Sequence, residues 1–81
     1  MQITVKFFAI LRERAGVNEI QIDLPLHDTV AAASARIAQD VPSIAAMLPR
    51  VAFAVNQSYV PATTELHDGD ELALIPPVSG G

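Results

Sequence analysis

Only one stretch of this chain holds apolar residues at helical spacing through several turns: Val30, Ala33, Ile37 and Val41. Asp28 or Thr29 stands where it can cap that helix. The helix is rich in alanine, so its buried stripe is thin and should lie close against a sheet. Elsewhere the apolar period is two. Residues 2–8 alternate, with Ile3, Val5 and Phe7 on one face and Gln2, Thr4, Lys6 and Phe8 on the other. A large aromatic at Phe8 thus breaks a polar face. Residues 18–24 alternate again, with Ile20, Ile22 and Leu24 inward, until Pro25.

Shorter elements fill the gaps. Residues 10–15 favour one helical turn or so, closed by Gly16. Pro42 can open a second short turn that carries Ile44, Met47 and Leu48 inward and ends at Pro49. Residues 50–55 read as a third strand with Val51, Phe53 and Val55 inward, and Asn56-Gln57 turns it into a short strand at 58–60. After an irregular connection, residues 66–70 make a tight turn around Asp68-Gly69. Residues 71–75 are the last strand, with Leu72 and Leu74 inward and Ala73 and Ile75 outward. The order is β-β-α-β-β-β. It predicts an α+β roll over residues 1–75: a mixed sheet of five strands with one main helix on one face. The first and last strands should lie side by side, parallel, in the centre. Phe8 and Ile75 would then share the outer face as an apolar patch.

The last strand runs directly into Pro76-Pro77-Val78-Ser79-Gly80-Gly81. Neither proline can donate to a sheet ladder, and each holds φ near −65°. The pair therefore leaves the sheet as a stiff, extended mount. Beyond Pro77 the remaining residues can reach roughly 13 Å. Gly80 and Gly81 lack Cβ atoms, so they can enter a channel too narrow for any other residue. A frayed end is the ordinary reading of such a terminus, but a frayed end needs no rigid mount.

Composition narrows the chemistry. Eighty-one residues suffice for one domain, and a hydrophobic content of 51% supports a core without staples. There is no cysteine. Disulfides, thiolate metal sites and a cysteine nucleophile are excluded together. Nine acidic residues against five basic give a net charge of −4. Lys6, Arg12, Arg14, Arg36 and Arg50 are scattered, so a nucleic-acid partner is not expected. An acidic chain of this kind would suit a basic partner surface, though the charge mainly supports solubility. The opening residues lack the basic and long apolar regions of a signal peptide, and no run is long enough to span a bilayer. A soluble cytoplasmic protein is the expectation. His27 and His67 lie in separate loops, and nothing around them has the spacing of a metal site. Asp68-Gly69-Asp70 lacks the calcium-loop pattern.

Certain segments, taken together, resemble a known family. They are Phe7-Phe8-Ala9 with Arg12-Glu13 and Gly16, Val55-Asn56-Gln57, Leu66-x-Asp68-Gly69-Asp70-Glu71, and the closing Pro76-Pro77-Val78-Ser79-Gly80-Gly81. The chain resembles the ubiquitin-like β-grasp sulfur carriers and, more narrowly, the small subunits of molybdopterin synthase. The resemblance spans the whole length, although residues 25–50 match only in pattern. It implies that Gly81 is the reacting residue. A ubiquitin-activating-like enzyme would adenylate its carboxylate with ATP, which that enzyme binds, since this chain has no glycine-rich phosphate loop. A persulfide-derived sulfur would displace AMP and leave a thiocarboxylate. The tail would then enter the large subunit, in a heterotetramer, and pass sulfur to a cyclic phosphorylated pterin precursor, twice, to build the dithiolene that binds molybdenum. The chain would act as the sulfur-donating half of a sulfurtransferase, with the catalytic pocket on the large subunit and no cofactor or metal bound directly. Phe8, Arg12, Ile75, Pro76, Pro77, Val78, Ser79 and Gly80 are the expected partner-binding residues. Two alternatives share the tail: a sulfur carrier for thiamin-thiazole or tRNA thiolation, and a protein modifier joined to lysines.

Overall fold

The computed structural model of the chain describes residues 1–77. Its elements are β1 (Gln2–Phe7), α1 (Ala9–Ala15), β2 (Glu19–Asp23), α2 (Val30–Asp40), a 3₁₀ segment (Pro42–Arg50), β3 (Ala52–Val55), β4 (Ser58–Val60) and β5 (Glu71–Ile75). The strands form one sheet in the order β2-β1-β5-β3-β4. The two strands at opposite ends of the chain, β1 and β5, pair in parallel at its centre, with Thr4 opposite Glu71 and Phe7 opposite Leu74. Every other pairing is antiparallel. This is the expected β-grasp roll.

Alternation decides which face is covered. Ile3, Val5, Phe7, Leu72 and Leu74 point to one side and are buried there against Val30, Ala33 and Ile37 of α2. Leu11 of α1 and Ile44 and Leu48 of the 3₁₀ segment close the same core. Each large aliphatic side chain so buried contributes roughly 1.5–3 kcal/mol. No polar or charged side chain is buried among the described residues. The core therefore needs no internal partners, and polar pairing is left to the loops.

Local chemistry sets the element ends. Of the two candidate caps, Thr29 starts α2: its Oγ1 accepts from the Ala32 N–H at 3.3 Å. Gly16 ends α1 in the left-handed region, at φ 79°, where its N–H donates to the Arg12 carbonyl. Asn56 and Gln57 also take positive φ, 49° and 73°, as a two-residue hairpin between twisted strands requires. The Asn56 side chain then reaches across the sheet. Its Nδ2 donates to Asp70 Oδ1 and its Oδ1 accepts from the Glu71 N–H. Asp68 Oδ1 accepts from the Gln2 N–H, and Asp70 Oδ2 from the His67 N–H. Two of the segments that carried the family resemblance, around Asn56 and around Asp68–Glu71, thus form one knot that pins the start of β5 to its neighbours.

Three details differ from the sequence reading. The third strand begins at Ala52 rather than Arg50, because the Val51 N–H still donates to the Leu48 carbonyl and closes the preceding turn. The 3₁₀ segment accordingly runs through Pro49. On the outer face, Ala54 and Ala73 are buried although they point away from α2. They lie side by side in the register, flanked by Lys6 and Tyr59, and their small Cβ atoms sit below these taller neighbours. Among the described residues no helix is long and apolar enough to cross a membrane.

Ile37, fully buried where α2 meets the sheet, should be among the costliest positions to truncate. Ile37→Ala is expected to lower unfolding free energy by about 2–5 kcal/mol in urea titrations. A loss below about 1 kcal/mol would mean that α2 does not pack as described.

Candidate functional site

The site grows from the ends of the two central strands. Phe7 closes β1 with its ring in the core, 2% exposed. Phe8 follows in extended conformation, with φ −124° and ψ 152°, so the pleat turns its ring to the opposite face, where it is 43% exposed. The chain then bends sharply into α1 at Ala9, whose φ is +51°. An L-residue in that region is strained by about 1–2 kcal/mol. Phe8 and Ala9 are thereby held at a corner beside the last residues of β5.

Phe8, Ala9, Ile75, Pro76 and Pro77 line a shallow apolar groove of about 420 Å³. Four of the expected partner-binding residues, Phe8, Ile75, Pro76 and Pro77, therefore meet in one place. Ala9 joins them, though no sequence pattern pointed to it. A second groove, of about 300 Å³, is lined by Ala46, Met47, Arg50 and Pro77. Pro77 belongs to both, so the mount of the tail stands between two apolar hollows. The second wall comes from the 3₁₀ segment, which leads into β3 where Ala52 pairs with Ile75. That pairing was the available signal, and it could not be read without the strand order.

Arg12 sits on α1, exposed, and lines neither groove. It makes no ion pair with Glu13 among the described residues. Val78, Ser79, Gly80 and Gly81, the remaining expected site residues, lie outside the described residues.

The histidines do come together in space. His27 Nδ1 lies 3.1 Å and His67 Nε2 3.7 Å from the same Glu65 Oε2. Both rings remain exposed, and the described residues contain no group of three or more side chains placed to hold a metal. This cluster is at the far end of β5 from the tail. The described residues around the tail's root therefore offer shape and apolar surface, with no acid–base pair of their own.

A family model described as the ThiS family matches residues 5–81. This chain belongs to the ThiS family. Within it, a molybdopterin synthase sulfur carrier subunit from Chlamydomonas reinhardtii is 45% identical, and the match covers 100% of both chains. Among solved structures, SAMP1 from Haloferax volcanii superposes with a TM-score of 0.92 at 28% identity, covering 100% of both chains. A protein–protein complex of subunits 1 and 2 of the molybdopterin-converting factor from Helicobacter pylori contains a chain that matches with a TM-score of 0.72 and 28% identity, again over 100% of each. The ThiS-family match runs through Gly81.

Two substitutions separate surface from core at the corner. Phe8→Ala should cost less than about 1 kcal/mol of stability, whereas Phe7→Ala should cost about 3–5 kcal/mol, both by chemical denaturation. Equal losses would place Phe8 in the core. Ala9→Gly should leave stability unchanged or raise it by up to about 1 kcal/mol, because glycine adopts the positive φ without strain. A clear loss in melting temperature would show that the corner is not strained.

Proposed function

We propose that this chain is the sulfur-carrier subunit of a molybdopterin synthase, and that its reacting atom is the terminal carbonyl carbon of Gly81. The observation that carries the reading is the mount: a strand held on both sides ends in Pro76-Pro77 between two exposed apolar grooves. Full-length likeness to named sulfur carrier subunits supports the same reading. A carboxylate is a poor electrophile, so sulfur cannot enter until the Gly81 carboxylate attacks the α-phosphate of ATP and releases pyrophosphate. The acyl-adenylate carbonyl then accepts a sulfide-level sulfur, AMP leaves, and a thiocarboxylate remains. The ATP site and the catalysts of these steps belong to an adenylating enzyme. Delivery into the pterin belongs to the large subunit, which supplies the acid–base and phosphate-binding groups in a heterotetramer.

In this scheme Phe8, Ile75, Pro76 and Pro77 seat the body on the partner, Arg12 touches its rim, and Val78, Ser79 and Gly80 thread the channel to place Gly81. The setting is the cytoplasm, where ATP is available. The likeness to SAMP1, a small archaeal modifier protein, favours one second reading, a protein modifier whose Gly81 carbonyl is passed to a lysine amine. Lysine-linked adducts recovered from cells would support it; a thiocarboxylate with no adducts would support the carrier.

Incubation of the chain with the adenylating enzyme, ATP and a sulfur donor should raise its intact mass by the difference between a sulfur and an oxygen atom. A variant lacking Gly81 should show no rise. An unchanged mass for the full chain would remove Gly81 from the chemistry.

A further inference from the structure

The charges of this chain are sorted along the strand direction. β1 and β5 run parallel, so both begin at one end of the sheet and finish at the tail-bearing end. Asp23 faces Gln2 at the start of β1, and Glu71 faces Thr4 at the start of β5. Asp68 and Asp70 cap the same end, through Gln2 and Asn56. Asp28 and Glu65 join them, since the Leu66 N–H donates to the Asp28 carbonyl and Glu65 bridges to Thr29. Six of the nine carboxylates thus crowd the end away from the tail. Cations reach that end too: the Met1 ammonium donates to the Leu24 carbonyl, Arg36 donates to the Asp23 carbonyl, and Lys6, level with Glu19 in the register, stretches its Nζ back to Glu71.

The tail-bearing end is the reverse. Arg12 and Arg14 lie on α1, and Arg50 ends the 3₁₀ segment; the two elements touch, with Ser43 Oγ donating to the Arg14 carbonyl at 2.9 Å. All three arginines are exposed, and none has a carboxylate within 4.0 Å among the described residues. The side-chain carboxylates at that end, among the described residues, are Glu13 and Glu19, the latter opposite Lys6 in the register; the Gly81 carboxylate lies outside the described residues. Arg50 lines the second groove beside Pro77. The two ends are separated by the length of β5, roughly 13 Å. That exceeds the screening length of about 8 Å at physiological ionic strength. A surface approaching the tail's root therefore meets three guanidinium groups against two side-chain carboxylates among the described residues, and not a chain of charge −4.

We infer that the protein receiving this tail carries carboxylates on the rim of its channel, and that Arg50, supported by Arg14, faces them while apolar side chains of the rim fill the grooves beside Pro77. The expectation of a basic partner surface, drawn from net charge alone, is thereby reversed for the end that matters. The acidic pole serves a second purpose: repelled by the same rim, it turns the molecule so that the tail approaches first. This inference rests on the synthase reading, with the large subunit as the receiver.

The test is the association rate of the purified large subunit with the full chain, measured by stopped flow at several salt concentrations. Arg50→Gln is compared with Arg36→Gln, which changes net charge equally but removes a cation tied to Asp40 and to the Asp23 carbonyl, away from the tail. Melting curves confirm that both variants fold. Arg50→Gln should slow association on the order of three- to tenfold at low ionic strength and merge with the unaltered chain at high salt. Arg36→Gln should leave the rate nearly unchanged. Equal slowing by both variants, no slowing by Arg50→Gln, or faster association would overturn the inference while leaving the carrier reading intact. If the unaltered chain failed to bind the large subunit at any salt concentration, the synthase reading would fall and the inference with it.

Discussion

The parallel pairing of β1 with β5 is the contact on which the rest depends. It joins the two ends of the chain, and it gives β5 a hydrogen-bonded neighbour on each side. Without it, β5 would be an edge strand and the tail would hang from an exposed border. Such a pairing closes one of the longest loops available to the chain, and the entropy of that closure is offset by the contacts of the core. The apolar core supplies the reason to collapse. The ladder supplies the direction in which the chain leaves the sheet at Pro76.

Register matters as much as position. A slip of one residue in β5 would turn Leu72 and Leu74 outward and bury Ile75. The core would lose two of its largest fully buried side chains, and the groove beside Phe8 would lose a wall. The knot of Asn56, Asp68 and Asp70 guards against this slip at the other end of the strand, far from any reacting atom. These motif residues work by holding register. They fix the strand from which Pro76 and Pro77 leave the sheet.

Much of this was legible in the sequence, because alternation and helical spacing report faces directly. The inward and outward sets of β1 and β5 came from period alone, and they placed Phe8 beside Ile75 before any coordinates. What escaped was information that exists only between segments. Arg50 looked like one scattered cation until the antiparallel pairing of β3 with β5 set it beside Pro77. His27 and His67 looked independent until two loops closed on Glu65. Ala73 read as outward and proved covered, as did its neighbour Ala54, because shielding depends on the height of cross-strand neighbours. Ala9 carried no signal, since alanine is the last residue that composition would suggest for a left-handed corner. Net charge says least about the tail's surroundings, being a sum that discards where each charge sits.

The placement of β5 between two partners also governs how the molecule bears load. A force applied along β5 runs perpendicular to the ladder bonds on both sides. Those bonds are strained together, in shear, and do not open one after another as in a peeled edge. Strain placed along β5 is therefore shared by two ladders at once.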